Sequence, residues 1–133
     1  MIVRLSRFAP LAFTALTLCA GALHAAPLLR CQVTYAGATQ VIETGPVSDP
    51  YAVASTDIGG RFRFKAVMVG SDAQVAYINL YAYLATRRQP VLIHEAKYLP
   101  PFKAASFTGE QHLYAGPVER ELIYNCTLEG LAS

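Results

Sequence analysis

The nine residues RFRFKAVMV (Arg61–Val69) alternate apolar and charged side chains along most of their length. Phe62, Phe64, Ala66 and Met68 fall on one side of an extended chain, while Arg61, Arg63 and Lys65 fall on the other. That period of two is the signature of a strand with one buried face. The "DIGG" before it and Gly70-Ser71-Asp72 after it supply turns, so the stretch is expected to sit between two tight connections.

The same pattern continues outward in both directions. Upstream, LLRCQVTY (28–35) places Cys31, Val33 and Tyr35 on one face, Ala36-Gly37 turns, and TQVIET (39–44) runs to Gly45-Pro46. YAVAST (51–56) reads as a further short strand. Downstream, AQVAYINLYAYLAT (73–86) has two readings. Ser71 or Asp72 capping a helix and Arg87-Arg88 closing it would suit the dipole; Val75, Ile78 and three tyrosines favour a strand, which is the preferred reading. RRQP (87–90) is then a hairpin loop, VLIHEAKYL (91–99) a strand ended by Pro100-Pro101, and HLYA (112–115) another before Gly116-Pro117. In the last strand Val118, Arg120, Leu122, Tyr124, Cys126 and Leu128 share one face, and Glu119, Glu121, Ile123, Asn125 and Thr127 the other.

Seven or eight short strands separated by turns predict an all-β fold: a single antiparallel β-sandwich that resembles immunoglobulin-type domains in general plan. A small closed β-barrel is the alternative. The chain has no tryptophan, so the ring that packs on the disulfide of true immunoglobulin domains has no counterpart.

The opening residues have the layout of a secretory signal peptide. Arg4 and Arg7 precede the uncharged run Phe8–Leu23, and small residues follow at Ala25 and Ala26. Cleavage after Ala25 leaves residues 26–133 as one domain. The run is short of the about 20 residues a spanning helix needs and holds Pro10, so no stable membrane anchor is expected. Lipid attachment at Cys19 would place bulky Leu18 where a small residue is wanted. Losing Arg4 and Arg7 takes the 11 basic residues to 9, equal to the 9 acidic ones, and no cluster exceeds Arg87-Arg88. The electrostatic footprint of a nucleic-acid binder is therefore missing.

With Cys19 in the signal, Cys31 and Cys126 are the two cysteines left, and an oxidising compartment predicts a structural disulfide between the first strand and the last. It makes the Asn125-Cys126-Thr127 sequon incidental. No Cys-x-x-Cys spacing, nucleophile elbow, phosphate-cradling glycine loop or His-Glu-x-x-His helix is present, and no cofactor is expected. Glu119 and Glu121 share a strand face but read as solvated edge residues.

His94, His112 and Glu110 would converge on copper or zinc if their strands paired, although His94 and Glu95 need a bulge to face the same way. The tyrosines carry more information. In a strand over 75–84, Ala76, Ile78, Leu80, Ala82 and Leu84 lie on one face and Val75, Tyr77, Asn79, Tyr81 and Tyr83 on the other, both largely apolar. Either the strand is covered on both sides or the tyrosine face is a contact surface, with Arg87 and Arg88 beside it.

The functional expectation is an exported, disulfide-stapled, non-enzymatic module that binds another protein through Tyr77, Tyr81 and Tyr83 and the Arg87-Arg88 hairpin, as an inhibitor, an immunity-type factor or an envelope accessory subunit. A small copper- or zinc-binding periplasmic protein using His94 and His112 is the second reading, and a small hydrolase with dispersed carboxylates the third.

Overall fold

A computed structural model describes Gly21 and residues 25–102, 104–116 and 120–131. The expected signal segment, residues 1–25, lies outside the described residues apart from Gly21 and Ala25, as do Val118 and Glu119. Eight strands form: β1 (Leu28–Tyr35), β2 (Ala38–Thr44), β3 (Thr56–Ile58), β4 (Phe62–Gly70), β5 (Val75–Leu84), β6 (Val91–Tyr98), β7 (Gln111–Ala115) and β8 (Arg120–Glu129). They build two four-stranded antiparallel sheets. One, here the terminal sheet, has the order β2-β1-β8-β7, and the other, the meander sheet, has the order β3-β4-β5-β6. Within residues 73–86 the chain is strand over Val75–Leu84 and not helix, with Ile78, Leu80 and Ala82 buried at every second position.

The sheets pack face to face on the residues that alternation selects. Leu29, Cys31, Val33, Leu122, Tyr124 and Cys126 of the terminal sheet meet Phe62, Phe64, Met68, Ile78, Leu80 and Ala82 of the meander sheet, all fully buried. The Phe64 and Tyr124 rings stand 5.2 Å apart, and Tyr35 meets Phe62 edge-on at 5.3 Å. Each such ring removes enough apolar surface from water to contribute about 1.5–3 kcal/mol. The two sheets do not close into a barrel: neither β2 with β3 nor β6 with β7 forms a ladder.

Apart from β1 beside β8, every neighbouring pair of strands is consecutive in sequence. The likeness to immunoglobulin domains therefore stops at the two-layer plan, since those connect by Greek keys. The disulfide also differs: Cys31 and Cys126 are register partners on adjacent strands of one sheet, with Cα atoms 4.0 Å apart and 95 residues between them in sequence. It joins the first strand to the last, as the cysteine positions predict.

Two local expectations change. YAVAST is not a strand at its start, because Asp49 accepts a hydrogen bond from the Tyr51 amide and Pro50 opens a 3-10 turn over Pro50–Ala52, leaving Thr56–Ile58 as the pairing segment. The register between β4 and β5 shifts at Val69/Gly70, which turns Val75 inward and leaves Ala76 exposed, the reverse of uninterrupted alternation. Gly70 permits this close approach, since a Cβ there would lie 2.3 Å from the Gln74 carbonyl oxygen.

The loop before β7 completes the terminal sheet. Beyond Tyr124, β8 has no β7 residues beside it, and the loop supplies the missing bonds: the Cys126 amide donates to Thr108 Oγ1 at 2.9 Å and the Leu128 amide to the Ala105 carbonyl at 2.9 Å. Among the described residues, no helix is long and apolar enough to cross a membrane.

Candidate functional site: the outer face of the meander sheet

Burying Ile78, Leu80 and Ala82 forces the intervening residues of β5 outward. Tyr77, Asn79, Tyr81 and Tyr83 thus form a row on the outer face of the meander sheet, and all four are half-buried. Register supplies their neighbours. Val69, Val67, Lys65 and Arg63 of β4 stand opposite Tyr77, Asn79, Tyr81 and Tyr83. On β6, Lys97 stands opposite Asn79, Glu95 opposite Tyr81 and Leu92 opposite Tyr83.

The rings are ordered by these neighbours. Tyr81 and Tyr83 stack with centroids 6.4 Å apart and planes 24° from parallel. Lys65 Nζ lies 5.7 Å from the Tyr81 centroid and Lys97 Nζ 4.6 Å from that of Tyr77, close enough for cation–π attraction. Asn79 Nδ2 donates to the Tyr81 hydroxyl at 3.0 Å, while Asn79 Oδ1 is buried with no hydrogen-bond partner among the described residues. Partial burial, helped by Tyr81 and Glu95, raises the Tyr83 phenol above its ordinary value, so it stays a neutral donor at physiological pH.

At one end of this row lie the hairpin tips. Arg87 and Arg88 are exposed on the β5–β6 connection, where the Thr86 hydroxyl donates to the Gln89 carbonyl at 2.6 Å and accepts from the Gln89 amide at 3.3 Å. The β3–β4 turn is adjacent, because the Ala85 amide donates to the Arg61 carbonyl at 2.9 Å. Arg63 is tied down: its Nε and Nη2 donate to the hydroxyl and carbonyl of Ser55 at 2.8 and 2.9 Å. The alternating RFRFK segment puts Arg63 and Lys65 on this face, but their places beside Tyr83 and Tyr81, and Lys97 over Tyr77, depend on register between strands.

The histidines do not come together. His94 lies on β6, where a register shift between Ala82 and Tyr83 adjusts its edge of the meander sheet, and its Nε2 is 2.8 Å from the Tyr124 hydroxyl in the space between the sheets. Burial holds His94 below its ordinary pKa and raises the Tyr124 phenol, so a neutral imidazole meets a neutral phenol. His112 lies on the outer face of the terminal sheet, with Nδ1 2.5 Å from Glu121 and Nε2 2.7 Å from Glu110. Those carboxylates raise its pKa, Glu121 first. The structure does bring Glu110 to His112, together with Glu121, one carboxylate oxygen beside each ring nitrogen. Among the described residues, no group of three or more His, Cys, Asp or Glu side chains is placed to hold a metal ion.

An open groove of about 470 Å³ at the other end is lined by Ala73, Gln74, Val75, Pro100, Pro101, Phe102 and Leu131, and none of these is an acid, base or nucleophile. Compared with known proteins, the chain matches no family model, no curated protein and no solved structure.

Proposed function

We propose that this protein is an exported, non-enzymatic module that binds another protein through the outer face of its meander sheet, with Tyr77, Tyr81 and Tyr83 as the central contacts and Arg87 and Arg88 at the margin. One observation carries this reading: three tyrosines stand in a row on the outward side of a central strand, each half-buried by its neighbours. Tyrosine offers a large, amphipathic plane that loses little side-chain entropy on contact, and such residues dominate binding energy at protein interfaces. Export rests on the layout of the first 25 residues and agrees with a structural disulfide.

The test is cross-linking and pull-down from the envelope and secreted fractions with wild type beside Tyr77→Ala, Tyr81→Ala and Tyr83→Ala, each checked for unchanged folding by circular dichroism. A specific protein recovered by wild type and lost, by about tenfold or more, in at least one well-folded variant is expected. Equal recovery by all four chains would remove the tyrosine face from consideration.

A further inference from the structure

The corner where the β3–β4 and β5–β6 hairpins meet carries an uncompensated positive charge in a chain whose residues 26–133 hold equal numbers of acids and bases. Arg61, Arg63, Arg87 and Arg88 gather there because the end of β5 pairs with the start of β4. Two acids lie nearby: Glu95 stands opposite Tyr81 on β6, and Asp57 is already committed, since its Oδ2 accepts from the Gly60 amide at 3.1 Å, holding the turn, and its Oδ1 lies 4.0 Å from Arg63. Arg63 is further fixed by Ser55. That leaves Arg61, Arg87 and Arg88, all exposed and, among the described residues, within ion-pair distance of no carboxylate.

Both tips are ordered before any ligand arrives. Gly59 and Gly60 take positive φ angles of 61° and 70°, the Arg61 amide donates to the Ile58 carbonyl at 3.2 Å, and the Thr86–Gln89 bonds brace the other tip. Prepaid ordering lowers the entropic cost of binding. Guanidinium groups suit carboxylates because their planar forks donate two parallel bonds. The patch is continuous with the stacked Tyr81–Tyr83 pair, next to Arg63.

We infer that this corner recognises an acidic polypeptide segment, whose carboxylates engage Arg61, Arg87 and Arg88 while the adjoining chain lies along Tyr83 and Tyr81. The inference rests on the reading of the tyrosine face as a protein-binding surface and names the chemistry of its partner. Charge complementarity selects the acidic occupant, and the tyrosine planes favour a polypeptide over a purely ionic ligand.

The disulfide-bonded domain is titrated, by fluorescence anisotropy, with a labelled dodecapeptide of alternating Glu and Tyr, with its Gln-for-Glu counterpart, with a sulfated oligosaccharide and with phosphatidylglycerol vesicles. Saturable binding of the acidic peptide that weakens with salt, about tenfold or more in excess of the Gln peptide, is expected. The Arg61→Glu/Arg87→Glu/Arg88→Glu variant, checked for unchanged folding by circular dichroism, is expected to lose it by about tenfold or more. Absence of peptide binding, preference for the oligosaccharide or the vesicles, or undiminished binding by the triple arginine variant would overturn the inference. The two readings fail separately. A natural partner lost by Tyr81→Ala and retained by the triple arginine variant defeats this inference and spares the tyrosine face, whereas peptide binding that depends on the arginines, with no partner sensitive to the tyrosines, does the reverse.

Discussion

The terminal sheet and the meander sheet have four strands each and are held together by different means. In the meander sheet every pair of neighbours is joined by a short connection, such as Gly59–Arg61 between β3 and β4, so each ladder closes a small loop. In the terminal sheet the central pair, β1 and β8, brings together positions 95 residues apart and is cross-linked by Cys31–Cys126. Loop-closure entropy rises with length, so the covalent bond sits where pairing is most expensive. The outer faces differ as well. On the terminal sheet the charged groups satisfy one another: Arg30 with Glu43 and Glu129, His112 with Glu121 and Glu110. On the meander sheet lysines lie over rings, Arg63 is held by Ser55, and Arg61, Arg87 and Arg88 at the hairpin tips have no ion-pair partner among the described residues. A face whose charges are paired within the molecule has little left to offer another one, and this asymmetry is why the meander sheet is proposed as the binding side.

The sharpest way to break the comparison is to remove the staple. Cross-linking a loop of about 100 residues contributes on the order of 4–5 kcal/mol in the chain-entropy model, against a total of about 5–15 kcal/mol for a domain. Cys126→Ser is expected to lower the melting temperature by roughly 10–30 °C, measured by calorimetry without reductant. Thiol titration of the native protein should find neither Cys31 nor Cys126 free. A shift under about 5 °C would mean that β1–β8 pairing persists without the covalent bond, and that the two sheets are held alike.

Next in size is the substitute for β7 along the end of β8. Thr108 is 8% exposed, and its hydroxyl takes the amide hydrogen of Cys126. Thr108→Val keeps the shape and leaves a buried N–H unmatched, at a cost of about 1–3 kcal/mol or roughly 5–15 °C. Thr108→Ser, which keeps the hydroxyl, should recover most of that loss. Equal damage by Ser and Val would assign the effect to packing of the methyl group rather than to the hydrogen bond.

These two cases differ in what the chain alone reveals. Elimination pairs Cys31 with Cys126, and the buried faces of β4 and β5 follow from period two in RFRFKAVMV and INLYAYL. Local alternation records which side of a strand is buried, because each position is set by its own neighbours in sequence. Thr108 carries no local signal, since its role is defined by a backbone amide 18 residues away. The Val75 inversion depends on a bulge that Gly70 permits, and a glycine in a turn does not announce a register shift. The separation of His94 from His112 arises because β6 ends one sheet and β7 edges the other, a partition that the alternation of either strand leaves open. At the candidate site, the tyrosine row and Arg87-Arg88 were readable, whereas the lysines over the rings and the joining of Arg61 to Arg87-Arg88 needed the pairing of β4, β5 and β6.

The histidines sharpen the comparison through pH. His94, between the sheets and facing the phenol of Tyr124 with Tyr98 near that phenol, has a folded pKa below the ordinary 6.5. Its contribution to stability is present above 6.5 and is lost as pH falls through the lowered value, because the unfolded chain then binds the proton more readily. His112, between Glu121 and Glu110, has a raised folded pKa; its contribution is present below 6.5 and is lost as pH rises through the raised value. Denaturation midpoints across this range should therefore separate by variant. His112→Gln is expected to retain the fall toward acid, and His94→Gln the decline toward alkaline pH. Identical profiles in the two variants would contradict the placement of one ring inside the sandwich and the other outside.

The smallest effect expected is also the most direct check on the paired face. Arg30 bridges β2, β1 and β8 through Glu43 at 2.8 Å and Glu129 at 2.9 Å, but all three side chains are well exposed. Water screens such pairs and the side chains lose rotamer freedom in forming them, so Arg30→Ala should move the melting temperature by ~2 °C or less. The pairing therefore has a different consequence from stability: it keeps a guanidinium and two carboxylates occupied within one molecule. If that is why the terminal sheet stays inert, Arg30→Ala, which frees Glu43 and Glu129, should leave folding nearly untouched yet increase self-association at low salt, as two unpaired carboxylates become available to the free arginines of a neighbouring copy. Sedimentation velocity on the variant and the wild type measures this. A monomer in both, at low salt and at concentrations where the wild type is soluble, would show that internal pairing does not account for the difference between the two faces.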